Sequence, residues 1–399
     1  MIPVMTNRRT NLLVAAVTTI ACIGLLEISA GIIFKHAPKT NGKRLVLSAL
    51  SSHEQFVGVN DSYIIPHPYM LYTPRPGFDE FGYRQINSLG YRGHEFTQEK
   101  PDGTYRVLCL GGSTTLSYPY IKDPERAWPA LIETRLNELY PGRRFEVINA
   151  GLGYATSAEL LAGYMFRHRY LQPDMVVIHE GGNDTDPLMF ENYNPEYTHF
   201  RAPGVRVMVG HVERLLLRSN LFRLFYAHYW RYVPSIYTSQ PYGFDLLSRK
   251  DALQRVQNTY PLGFERNIDL IIRTAQADGA KVLLAGFVAE RGEQFTKAWP
   301  SMRGLEPAIM LGLQKNLQVM EGLGKKYGVL YLSPSEVDFK GEWFIDGCHL
   351  TEEGERVKAD WILGGIIRTM GEMDMPAPHG PRDIPLQPAG MGTGGGSLH

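Results

Sequence analysis

Residues 105–113 read Tyr105-Arg106-Val107-Leu108-Cys109-Leu110-Gly111-Gly112-Ser113. A short, largely apolar run stopped by two glycines predicts a buried strand over Tyr105–Leu110. The glycines permit a sharp turn and close backbone approach, so Ser113 is handed to an exposed loop heading toward a helix. Downstream the pattern repeats. Trp128–Leu139 has helical spacing, Phe145–Ala150 (FEVINA) reads as a strand, and Ser157–Arg167 as a helix. Met175–Glu180 (MVVIHE) is rich in β-branched residues and predicts another strand. Ile268, Ile271, Ile272 and Ala275 mark a helix over Phe264–Asp278, which Gly279 ends before the strand Lys281–Phe287. Leu311–Tyr327 reads as a helix, Val329–Leu332 as a strand and Thr351–Met370 as the closing helix. Glu352, Glu353 and Glu355 stand in the first turn of that helix, where the dipole favours acids. Strand alternating with helix predicts an α/β fold, a mostly parallel sheet with helices on both faces.

In such sheets ligands bind beyond the carboxyl ends of the strands, so chemistry is expected in the residues just after each one. After the first strand stands Gly111-Gly112-Ser113-Thr114-Thr115, a hydroxyl nucleophile with a backbone N–H of its own to offer. After the second, Asn149-Ala150-Gly151-Leu152-Gly153-Tyr154 can present a backbone N–H into the same crevice. After the third, Gly181-Gly182-Asn183-Asp184 carries a side-chain amide, a neutral donor for developing negative charge. Before the final helix, Asp346-Gly347-Cys348-His349 spaces a carboxylate so that it reaches the imidazole Nδ1 and leaves Nε2 free to take a proton from serine. Each group alone is more often an ordinary turn. Together, each after its own strand, they supply a nucleophile, oxyanion donors and an Asp–His pair with no part missing.

The order Ser, Gly, Asn, then Asp-x-x-His resembles the motif blocks of the SGNH (GDSL-like) hydrolases over roughly residues 105–370. The segments Asn149–Glu159 and Pro173–Asp184 are similar in detail. The resemblance implies a three-layer α/β/α fold that hydrolyses esters or thioesters without a metal or other cofactor. It implies Ser113 as nucleophile, His349 as base, Asp346 as its orienter, and Asn183 as an oxyanion donor beside the Ser113 N–H. Two positions depart from the family pattern. Gly112 stands where the family usually has Asp. Tyr154 stands where the second block usually has its oxyanion glycine, with Gly153 just before it; Gly153 is taken as the donor.

Lys+Arg and Asp+Glu are both 41 in 399 residues, and this balance offers no basic surface for nucleic acid. The three cysteines, Cys22, Cys109 and Cys348, make no disulfide framework, and no His/Cys cluster has metal-ligand spacing.

Residues 12–34 are almost wholly apolar, with Glu27 the only charge, and are long enough to cross a bilayer core, which takes about 20 residues. A single-pass anchor follows a short tail over 1–11. The alternatives are a cleaved signal peptide and a lipoprotein site at Cys22. The catalytic domain is expected outside the cytoplasm, although Lys35, Lys39, Lys43 and Arg44 after the run do not favour it over Arg8 and Arg9 before it. A polar linker is expected over 35–60, the hydrolase domain over 61–372, and a disordered Pro/Gly-rich tail over 373–399.

An insertion over about 185–262 interrupts the domain. Its middle, Arg214–Val233, mixes leucines and aromatics with arginines. It reads either as a helix packed on the domain or as an amphipathic cap touching membrane or acyl chain. Tyr69–Phe96 reads as turns or a hairpin on the core, with Arg92 structural rather than anion-binding. The expected substrate is an O-acyl ester, acetyl or short-chain, on a small molecule, lipid or polysaccharide. An acyltransferase using the same triad and a non-catalytic carbohydrate-binding protein are the alternatives.

Overall fold

In the computed structural model, residues 8–36, 63–67, 69–200, 215–216, 218–222, 224–225, 247–290, 295 and 302–371 are described. The tail over 373–399, residues 37–60 of the expected linker and much of the insertion lie outside them. The chain divides into two compact units, Met1–Thr73 with Phe200–Leu247, and Pro74–His199 with Ser248–His399.

The smaller unit holds helix α1, Arg8–His36, and the paired strands β1, Ile64–His67, and β2, Leu71–Pro74. Helix α1 runs into the first residues of the predicted linker. Leu12, Val17, Ile20, Leu25, Ile28 and Ile32 are each more than half exposed, so the helix is apolar around its whole circumference. Its segment Thr10–Ile33 is long and apolar enough to cross a membrane, which fits an anchor or a signal sequence.

The larger unit opens with a small antiparallel pair, β3, Asp79–Glu80, and β4, Tyr83–Arg84. There follow β5, Thr104–Gly111; α2, Ser113–Leu116; α3, Trp128–Leu139; β6, Arg144–Gly151; α4, Ser157–Phe166; β7, Met175–Glu180; and α5, Asp186–Met189. Then come α6, Ala252–Asn258, within the last part of the insertion; α7, Leu262–Ala277; β8, Lys281–Gly286; α8, Glu306–Tyr327; β9, Leu330–Leu332; and α9, Glu352–Met370. Helix α8 starts before the predicted Leu311 because Pro307, lacking an N–H, suits a first helical turn.

Strands β6-β5-β7-β8-β9 lie side by side in that order, all parallel. Both faces are covered, which is why β5 and β7 are buried at every position and read as apolar runs. On one face Val107, Cys109, Val147, Val177 and Leu283 pack against Trp128, Ile132 and Leu136 of α3 and Ile362, Leu363 and Ile366 of α9. The alternate residues, Leu108, Leu110, Ile178 and Leu284, are likewise buried. Over there α7 packs on α4 and α8 and contacts β8, burying Phe264, Ile268, Ile271 and Ile272. Each such side chain contributes about 1.5–3 kcal/mol by leaving water. This is the three-layer α/β/α arrangement.

The chain leaves β5 for its neighbour β6 and then crosses to β7 on the other side. The order therefore reverses at β5, opening a crevice beyond Gly111.

Candidate active site

Ser113 begins α2 directly after β5. Two glycines let this turn sit against the sheet. A Cβ on Gly111 would stand 2.4 Å from the His179 carbonyl oxygen, and one on Gly151 would stand 2.1 Å from the Leu116 N. Only hydrogen fits at either place. Asn149 holds the turn from below, its Nδ2 donating to the Thr115 carbonyl at 2.9 Å and its Oδ1 accepting from the Gly151 N–H at 3.0 Å.

The loop before α9 brings the other two groups. Asp346 Oδ1 accepts from the backbone N–H of Cys348 (2.9 Å) and of His349 (2.8 Å), which folds the loop tightly around the carboxylate. Its Oδ2 lies 2.7 Å from His349 Nδ1, and His349 Nε2 lies 2.8 Å from Ser113 Oγ. The expected order of hydroxyl, imidazole and carboxylate is thus present in space. Burial pushes the Asp346 carboxyl up, but the hydrogen bond and charge of His349 and the two N–H groups outweigh it and hold it below its ordinary value.

Tyr120, which no sequence motif marks, stacks on the His349 ring with centroids 3.9 Å apart and planes 16° apart. Burial first, and the Asp346 charge second, push its phenol above the ordinary range. It stays a neutral ring over the imidazole. No spacing rule predicts this contact, since Tyr120 belongs to an irregular segment after α2.

Asn183 Nδ2 donates to the Ala155 carbonyl at 2.7 Å, tying the loop after β7 to the loop after β6. That bond uses one amide hydrogen and orients the other. In the loop after β6, Tyr154 adopts φ +60°, the left-handed region that glycine favours. Its side chain is 66% exposed. Gly153 precedes this turn. Asp184, next to Asn183, is fully buried and organises the same region. It accepts from Ser157 N (2.8 Å), Ser157 Oγ (2.6 Å) and Tyr197 OH (2.6 Å). Burial raises its carboxyl to about 6 against the pull of those donors.

Glu180 also went unremarked in the sequence. It ends β7 with its carboxyl fully buried, and Oε1 accepts from the Gly181 N–H at 3.0 Å. A Cβ on Gly112 would stand 3.0 Å from Glu180 Oε2 and 2.8 Å from Asn183 Nδ2. Burial, and then the charge of Asp184, push the Glu180 carboxyl well up.

Behind α2, Lys358 Nζ donates to the Thr114 carbonyl at 2.8 Å and pairs with Glu355 at 2.7 Å, both side chains almost wholly buried. Glu355 Oε2 accepts from Ser117 Oγ and Trp128 N. Arg92 is buried, its Nη2 donates to the Ile121 carbonyl, and its backbone N–H bonds Asn149 O at 3.3 Å.

Asp346, Cys348 and His349 bring ligand-type atoms within 4.8 Å of one another. Burial holds the Cys348 thiol protonated, and His349 Nδ1 is engaged with Asp346.

Residues 109–357 match the family model of the GDSL-like lipase/acylhydrolase family. Among curated proteins none matches the chain. Solved structures of low similarity include an α/β hydrolase enzyme from the metagenome of Lake Arreo, Spain (14% identity, 65% of this chain, 94% of that one, TM-score 0.41). A lipase/acylhydrolase from Enterococcus faecalis is similar at 15% identity, 66% of this chain, 95% of that one and TM-score 0.39. A catalytic mutant of an acetylxylan esterase from Geobacillus stearothermophilus gives 14%, 66%, 94% and 0.37.

Proposed function

Because the chain belongs to the GDSL-like lipase/acylhydrolase family, we propose that it is a membrane-tethered serine esterase that removes a short acyl group from an O-acyl ester. The observation that carries this reading is the continuous relay of Ser113 Oγ, His349 and Asp346, with contacts of 2.8 and 2.7 Å. His349 Nε2 takes the Ser113 proton as Oγ attacks the ester carbonyl. Asp346, acceptor at Nδ1, holds the tautomer and stabilises the imidazolium that forms. The flat Tyr120 ring against the imidazole favours the cation as well. The oxyanion is held by the Ser113 N–H, the Gly153 N–H and the Asn183 amide. Protonated His349 then gives its proton to the leaving alcohol. Water, deprotonated by the same imidazole, releases the acid from the acyl-enzyme.

The test compares hydrolysis of p-nitrophenyl acetate and butyrate by the wild type with Ser113→Ala and His349→Ala. Each variant is expected to lose about 10⁴-fold or more in kcat with its fold intact, and the acetate-to-butyrate ratio defines the acyl site. Variants as active as the wild type would remove the triad from the mechanism. A folded but inactive wild type that becomes active when an oligosaccharide acceptor is added would make the protein an acyltransferase instead.

A further inference from the structure

Glu27 is the one charge in an otherwise apolar run, and it lies well inside α1. An isolated carboxylate in hydrocarbon is costly and persists only where partners satisfy it. Here the partners come from the insertion. Glu27 Oε2 accepts from Ser219 Oγ at 2.6 Å and from the Leu221 N–H at 2.9 Å, and Oε1 accepts from the Asn220 N–H at 2.5 Å. Ser219 Oγ in turn accepts from the Phe222 N–H at 3.1 Å. The N–H groups that open a helix have no partner within it, and in water they bond water. In hydrocarbon an acceptor must be built in, and Glu27 with Ser219 serves three successive ones.

The surroundings agree. One turn on from Glu27, a Cβ on Gly31 would stand 3.2 Å from Asn220 Nδ2, so a small residue is what lets the insertion approach. Ala30 beside it is buried. Ser29 Oγ is satisfied within the helix by the Leu25 carbonyl at 2.8 Å. Leu215, Leu216 and Phe225 stay 62%, 43% and 66% exposed, like the leucines and isoleucines of α1 itself.

We propose that the stretch of the insertion around Ser219–Phe222 enters the bilayer and docks on α1 at Glu27, so that the exposed Leu215, Leu216 and Phe225 face lipid. Glu27 precedes the end of the apolar segment at Ile33 by six residues, which at 1.5 Å per residue puts the contact about 9 Å inside the hydrocarbon. This rests on the tethered reading of α1 and not on the esterase chemistry.

The test uses the full chain in lipid vesicles with Cys22→Ser as background and Gly31→Cys with Asn220→Cys as a reporter pair. The expected result is an intramolecular disulfide that forms under mild oxidation and is lost on reduction. Adding Glu27→Leu, which keeps the helix apolar but removes both acceptor oxygens, is expected to lower the cross-linked fraction about tenfold, and Glu27→Gln, which keeps one acceptor oxygen, to lower it less. A fluorophore on Phe225→Cys is expected to be quenched by lipids brominated in their acyl chains. A mature chain that begins after residue 36 overturns the proposal, as does a folded, retained chain that neither cross-links nor is quenched. Esterase activity enters neither readout, so failure of the catalytic reading leaves this test standing.

Discussion

Gly112 and Tyr154 are the two places where the resemblance leads one to expect another residue, and each has a local physical account. At Gly112 a side chain would meet Asn183 Nδ2 and the Glu180 carboxyl, so the acid usual at that position has no room and would face a second carboxyl. Gly112→Asp is therefore expected to cost about 1–3 kcal/mol of stability from crowding and to lower kcat by displacing Asn183. Gly112→Asp with Glu180→Gly is expected to recover part of both, as read by urea unfolding and ester hydrolysis. At Tyr154 the backbone turns left-handed without a glycine. Tyr154→Gly relieves a conformational cost of about 1 kcal/mol and is expected to raise the midpoint of thermal unfolding while the esterase rate persists, since the neighbouring Gly153 N–H is left in place. A lost rate would instead show that the exposed ring contributes to the site.

Two contacts show how helices hold the site from outside it. Lys358 and Glu355 of α9 grip the nucleophile turn, Lys358 through the Thr114 carbonyl and Glu355 through Ser117. Removing one partner leaves a buried charge unpaired. Lys358→Met is expected to destabilise the protein by about 3–5 kcal/mol in denaturant titration, and Lys358→Met with Glu355→Gln by less. His94, 3.1 Å from Glu133 of α3 and 3.8 Å from Glu125, has its imidazole raised to about 10, first by the Glu125 carboxylate and then by that of Glu133. The folded state thus holds this proton more tightly than the unfolded chain, whose histidine titrates near about 6.5. The stabilisation is complete below the unfolded value and disappears as pH rises toward the folded one. The advantage of wild type over His94→Gln in thermal unfolding is expected to shrink steadily from pH 6.5 to 10. A constant difference would mean that the ring acts by packing.

Across the chain, α1 and the hydrolase unit obey different solvents. The hydrolase unit buries its apolar strands on both faces, whereas α1 leaves apolar side chains exposed on every side, a pattern that suits hydrocarbon. Full-length protein is expected to sediment with membranes and to remain there after alkaline washing, while residues 45–372 are expected to stay in solution. Full-length protein released by the wash would count against a spanning anchor.

The α/β alternation was legible because hydrophobic periodicity is local. A buried parallel strand such as Met175–Glu180 must be apolar throughout, and an amphipathic helix such as Leu262–Ala277 must repeat every three to four residues. The Ser, Asn and Asp-x-x-His positions were legible because chemistry requires particular side chains just after strands. The partners of those residues were not. That Tyr120 covers His349, that Glu180 comes up beside Gly112, that Lys358 reaches Thr114 and that Glu27 meets Ser219 are contacts between residues distant in sequence. No periodicity records such pairings, because they arise only once the strand order and the helix packing bring the segments together. Residue type and spacing determined which groups were available for chemistry. The tertiary structure decided which of them touch, since burial and hydrogen-bond geometry are properties of the assembled fold.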